Sequence, residues 1–216
     1  MPQLITPDTR VHASFVEAMT EFRAEGRGVP EDDSMVGRDI LSYHPRWADA
    51  DVFADYVRSV RADAHEDTPR PEGRVPATTL WYVDGDTYLG RIAVRHRATP
   101  RLLEWGGHIG YDVRPSARRR GHATAMLRAA LPVAAGLGID PVLVTCDPDN
   151  VASRKVIEAC GGAYEDERCG KLRFWIRTRP ELMVSQVGGR SLGIPGGHAN
   201  VHLFKSPTES APSDPS

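Results

Sequence analysis

Residues 118–123 read Arg118-Arg119-Arg120-Gly121-His122-Ala123 and lead straight into a helical pattern. The run before it, "IGYDVR", reads as a strand ending near Arg114, so a turn joins strand to helix. Amides in such a turn and in the first helical turn have no intrahelical acceptor. The helix dipole adds partial positive charge there, and a phosphate is suited to that position. Gly121 and Ala123 carry almost nothing that would block its approach, and the three arginines add a cationic rim. Two other phosphate loops are excluded. The glycine is not followed by the lysine and hydroxyl residue of a Walker loop, and the three glycines of a dinucleotide loop are absent.

The elements that must position this turn can be read from periodicity. Residues 11–25 form an amphipathic helix, with Phe15, Met19 and Phe22 at helical spacing, and residues 50–64 form a second one. Two β-rich runs flank Asp84-Gly85-Asp86, a hairpin signal. "GGHIGYDVR", residues 106–114, reads as a third strand. Residues 121–138 read as a helix with Pro132 inside it, which should cost a hydrogen bond or cause a kink. "PVLVTC" reads as a buried strand, and residues 150–162 as a helix opened by Asn150 and closed by glycines. "AYEDER" and "KLRFWIR" pair across Cys169-Gly170. Helices, antiparallel strands, then strand–helix–strand–helix–strand give a mixed α/β (α+β) domain, not a doubly wound one.

Composition sets bounds on the function. The net charge is -2 over 216 residues, so any basic site is local. That balance, with no recognition-helix pattern and no basic–aromatic interleaving, argues against nucleic acid as partner. Cys146, Cys160 and Cys169 match neither a zinc ribbon nor a redox pair, so reduced thiols in a cytoplasm and no metal are expected. The start of the chain shows no signal peptide, and no apolar run is long enough to span a membrane. "KSPTESAPSDPS" at the end has the composition of a disordered tail.

The phosphate turn resembles the acetyl-CoA loop of the GNAT superfamily of N-acetyltransferases. Its motif is Arg or Gln, two residues, Gly, one residue, then Gly or Ala. The context strengthens the match: "IGYDVRP" precedes it, and "CDPDNVASRKVIEACGG" is similar to the family's second signature, an Asn opening a helix that ends in glycine. The resemblance covers roughly residues 75–177 and is greatest to a bacterial branch with "GGHIGY" and N-x-x-S-R-K-V-I-E. It implies a mostly antiparallel twisted sheet of six to seven strands, helices on both faces and a splayed central strand pair. It further implies three regions: 1–74, contributing to the acceptor site; an acetyl-CoA-binding core over 75–180; and an extension over 181–216.

The resemblance also implies roles. Tyr111, Asp112 and Val113 present backbone groups to the pantetheine arm. Arg119, Arg120, Gly121, His122, Ala123 and Thr124 hold the pyrophosphate, mostly through amides, with Arg118 on the rim. Asn150 contacts the pantetheine side, with Ser153 beside it. Acetyl-CoA is then the cosubstrate, and the expected reaction is attack of a primary amine on the thioester. The acceptor is a small molecule or a peptide, and a homodimer is compatible with the resemblance. Such an amine arrives mostly protonated, so a base is needed. Glu104 and His108 are candidates. Strand alternation places both on one face and Tyr111 on the other, unless a bulge resets the phase. Many relatives carry a tyrosine acid seven residues after the signature Asn; here that position is Ile157. Cys146 is a candidate to protonate the leaving thiolate. The missing tyrosine leaves a non-catalytic CoA-binding module as the alternative. Tyr43, Trp47 and Trp105 are candidates to line the acceptor pocket, and Glu31, Asp32 and Asp33 to attract a cation.

Overall fold

The computed structural model describes residues 1–179; the predicted disordered tail and the extension from residue 181 lie outside the described residues. Seven strands form one sheet: β1 (Gln3–Ile5), β2 (Ala77–Asp84), β3 (Thr87–Arg95), β4 (Ile109–Val113), β5 (Val142–Cys146), β6 (Ala163–Arg168) and β7 (Lys171–Ile176). Their order is β1-β2-β3-β4-β5-β7-β6. Every neighbouring pair is antiparallel except β4 and β5. β1, from the 1–74 region, pairs with β2 at the edge of the same sheet.

Alternation along the strands sorts side chains onto two apolar layers. One holds Ile92, Val94, Ile109, Val144 and Phe174 against Met126, Leu127 and Ile157. These last three come from α4 (His122–Gly136) and α5 (Val151–Ala159). α4 runs unbroken through Pro132. The other layer holds Trp81, Val83 and Tyr88 against α1 (His12–Ala24), α2 (Met35–Tyr43) and α3 (Ala50–Ala62). Between Tyr82 and Val83 the register with β3 slips, so Leu89 bulges out. The slip lets Tyr88 and Arg91 share the second face while Leu89 joins Ile92 on the first.

Two expectations need correction. The 106–114 strand is shorter, because residues 102–106 form a wide helical turn and β4 begins at Ile109. Gly107 makes the junction at φ 62°, where a Cβ would fall 2.5 Å from the Leu143 carbonyl oxygen. Trp47 does not line a pocket. It is 2% exposed and stacks within an aromatic core with Phe15, Tyr43 and Tyr56.

Candidate active site

β4 and β5 touch at one end and part at the other. Their only paired position is Ile109 with Val144. At that closed end the His108 amide donates to the Leu143 carbonyl (2.7 Å), and the Leu143 amide donates to His108 Nδ1 (2.9 Å). Beyond it, residues 110–113 pair with β3 on one side only. Their other backbone edge is left open for an extended ligand.

The open end leads to the predicted phosphate turn. Gly121 stands at the N-terminus of α4 at φ 79° with no side-chain cap. Arg119 is also left-handed, at φ 64°. The first bond into the helix is Ala125 amide to Gly121 carbonyl, and the amides of residues 119–124 meet no protein acceptor among the described residues. Nothing lies within 4 Å of the position of a Gly121 Cβ. Uncapped amides, dipole and clear space together suit a phosphate.

The arginine run divides. Arg118 makes a bidentate pair with Glu25 (2.7 and 2.8 Å) and also donates to the Val113 carbonyl, so it anchors the turn to α1. No protein partner meets Arg119 or Arg120 among the described residues. His122 and Ala123 begin α4, with the His122 ring 5.6 Å from that of Tyr82, and Thr124 follows. Asn150 caps α5: its Oδ1 accepts from the Ser153 amide at 3.0 Å, which leaves the side-chain NH2 facing out. The Tyr111 hydroxyl crosses to α5 and meets Ser153 Oγ at 2.7 Å. Burial pushes the Tyr111 pKa up to about 12, against the Ser153 bond, so it stays protonated. This side-chain link had no local signal in the sequence, since 42 residues separate the partners.

A single cleft of about 1850 Å³ runs from this turn along β4 to α2 and the loop before β2. An ordinary small-molecule pocket holds about 300–1,000 Å³, so there is room for two substrates. Cys146 lines the cleft and is 5% exposed. Burial, then Asp147, raises its pKa, so its thiol stays protonated. Glu104 and His108 do not line the cleft. Glu104 sits exposed on the 102–106 turn, within electrostatic reach of Arg168. His108 is 7% exposed, and burial followed by Arg95 lowers its pKa. The three candidates for proton transfer are therefore not brought together.

On the sheet's other face, sequence reasoning missed a charged group. Arg91 is 5% exposed and pairs through Nη1 with Asp39 and through Nε with Asp112 (3.4 Å). The Tyr56 hydroxyl donates to Asp39 at 2.9 Å. Burial raises the Tyr56 pKa well above its usual value, and Asp39 adds to this. Tyr43 and Trp105 line the cleft as expected. Asp32 and Asp33 line it too, and Asp32 also ties down its own loop, accepting from the amides of Gly28 and Ser34.

A family model described as "Acetyltransferase (GNAT) domain" matches residues 31–163. No curated protein matches the chain. Among solved structures, the chain is similar to Mycobacterium smegmatis RimJ in complex with CoA-disulfide, at 19% identity, covering 82% of this chain and 81% of that one, with TM-score 0.56. It is also similar to the ribosomal-protein-S5-alanine acetyltransferase of Vibrio fischeri (12% identity, 82% and 93% covered, TM-score 0.56). A third is yncA of Salmonella typhimurium with acetyl-CoA, a putative acetyltransferase (10% identity, 84% and 96% covered, TM-score 0.52). The chain belongs to the GNAT acetyltransferase family. Its enzyme class is N-acetyltransferase. Among the described residues no three His, Cys, Asp or Glu side chains form a metal-binding group, and no helix is long and apolar enough to cross a membrane.

Proposed function

We propose that this enzyme moves the acetyl group of acetyl-CoA to a primary amine of a small molecule or peptide. The observation that carries this reading is the uncapped, left-handed start of α4 at Gly121 beside the unpaired edge of β4. The pyrophosphate binds the amides of Arg119–Thr124, and the pantetheine arm adds to residues 111–113 as an extra strand. The Asn150 side-chain NH2 donates to the arm, and Ser153, fixed by Tyr111, borders it.

The acceptor enters from the face of Arg91 and Gly110, opposite α4 and α5. Its amine, with a pKa near about 10, loses a proton to water in the open cleft before attack. The carbonyl oxygen gains charge as the amine adds and is stabilised by a β4 amide near Tyr111. The departing thiolate takes a proton from Cys146, whose thiol is neutral in the cleft, and the second proton of the attacking nitrogen returns through water to the Cys146 thiolate. His108 is assigned to hold β4 on β5, with its Nδ1 already engaged, and Glu104 to the exposed turn. Thiol release from acetyl-CoA, measured against a panel of amines and peptides, tests the reading. Turnover with at least one amine supports transfer. Acetyl-CoA binding without turnover on any amine would leave a CoA-binding module.

A further inference from the structure

The acceptor end of the cleft carries three arginines that make no ion pair among the described residues, although Asp32, Asp33, Asp39, Asp63 and Glu72 also line the cleft. Arg38 on α2, Arg74 in the loop before β2, and Arg95 at the end of β3 all line it. Among the described residues none of the three lies within 4.0 Å of a carboxylate oxygen, although fourteen other Arg or Lys residues do. Arg95 is held over the β4 edge by backbone oxygens alone: Nη1 donates to the carbonyls of Gly106 (2.9 Å) and Gly107 (3.0 Å). Its Nη2 lies 3.8 Å from the position a Gly110 Cβ would take. Arg38 donates to the Asp33 carbonyl. The loop bearing Arg74 is strapped down by Arg70, which donates to the carbonyls of Asp63, His65 and Glu66.

The three guanidinium groups repel one another. Burial lowers the Arg95 pKa, and Arg38 and Arg74 lower it further. Burial likewise lowers that of Arg38, with Arg74 next in effect, while Asp39 and Asp33 oppose the shift. Gathering like charges, two of them half-buried (Arg38 and Arg95) and one exposed (Arg74), costs stability, which a bound anion offsets. A second observation points the same way. The neighbouring Arg91, although buried and paired with Asp39 and Asp112, keeps Nη2 without an acceptor, and Arg91 also lines the cleft. Between Arg91 and Arg95 the sheet floor is Ala93 opposite Gly110, and the flexible Met35 side chain lies over Gly110, where a Cβ would fall 3.1 Å from its methyl carbon.

We infer that the amine acceptor carries a compact anionic group, a carboxylate or a phosphate, and that Arg38, Arg74 and Arg95 hold it while the amine reaches β4 near Gly110. This rests on the acetyl-transfer reading above and narrows its substrate class. Neutral amines and amines whose nearest groups are cationic are then poor acceptors, because they leave the three arginines unneutralised.

The test uses the full chain saturated with acetyl-CoA, so that the phosphate turn is occupied. Inorganic phosphate and succinate are titrated at constant ionic strength into the wild type and into Arg38→Gln/Arg74→Gln. The anion that fits is expected to bind the wild type and to lose at least tenfold in affinity in the double variant, with acetyl-CoA affinity changed less than twofold. Relief of repulsion should leave the variant melting at the same temperature as the wild type or higher. Turnover is then compared for phosphoethanolamine against ethanolamine and for β-alanine against its amide. Preference for the first pair's anion assigns phosphate, and for the second's assigns carboxylate. Absence of anion binding, equal binding by the variant, or equal turnover of charged and neutral partners overturns the inference. Failure of acetyl-CoA itself to bind would instead overturn the reading on which it rests.

Discussion

His108 and Leu143 are joined twice across the closed end of the β4–β5 splay: amide to carbonyl at 2.7 Å, and Leu143 amide to the imidazole Nδ1 at 2.9 Å. The ring accepts here the bond that a backbone carbonyl would accept if β4 began before Ile109. It satisfies a buried amide at the point where the ladder stops.

Replacement of His108 by Ala should therefore cost about 1–3 kcal/mol, the penalty for a buried donor without a partner. Chemical denaturation measures it. The same bond makes stability depend on pH. Burial and Arg95 hold the folded pKa below the usual value of about 6.5. The unfolded chain then takes up a proton first as pH falls. This contribution is intact above about pH 6.5 and is lost as the pH falls through the lower folded value. His108→Ala should flatten that part of the stability profile. Unchanged stability with a missing limb in the pH–rate profile would instead make His108 the base.

Gly121→Val should weaken acetyl-CoA binding at least tenfold. Its φ of 79° penalises a β-branched residue, and the new side chain enters space the pyrophosphate needs. Arg119→Ala should cost less than about fivefold, since it removes an exposed charge worth about 1 kcal/mol or less. Titration calorimetry gives both values. The reverse order would show that guanidinium groups, not amides, bind the phosphates.

Asp39→Ala removes one of the two carboxylates that neutralise buried Arg91 and the acceptor of the Tyr56 hydroxyl. A loss of about 3 kcal/mol is expected, because a buried charge is left short of a partner. Arg91→Met in the same chain should restore part of it. A double variant less stable than Asp39→Ala would contradict this account.

Much of the frame was legible from sequence because it depends on local periodicity: α1 and α3, the hairpin at Gly85, α4, α5 and the β6–β7 pair all lie where their patterns place them. α2 was not found. Its nine residues include Gly37, and its cap at Ser34 is embedded in an acidic run that reads as loop. The wide turn at 102–106 also escaped, and with it the facing of Glu104 and His108. Its cause is tertiary, the docking of Gly107 on Leu143. The phosphate turn could be recognised because glycine spacing states a backbone requirement. The Arg91–Asp39–Asp112 group could not, because its members lie on three separate elements joined only by folding.

Cys146→Ala should lower kcat while acetyl-CoA affinity stays within about twofold, if the thiol protonates the leaving sulfur. Losing a general acid costs about 10²–10⁴-fold. Tyr111→Phe should act more weakly, through a freed Ser153, and raise the KM for acetyl-CoA rather than lower kcat. Steady-state kinetics with a turned-over amine separates the two. Full activity in Cys146→Ala would assign that thiol to the core.

A crystal structure with acetyl-CoA bound tests the central claim most directly. The account predicts pyrophosphate oxygens about 2.7–3.2 Å from amides within residues 119–124, and a pantetheine arm running along the open edge of residues 111–113 into the splay beyond Ile109 and Val144. Phosphates held by arginine side chains alone, with those amides unengaged, or an arm lying away from β4, would contradict it.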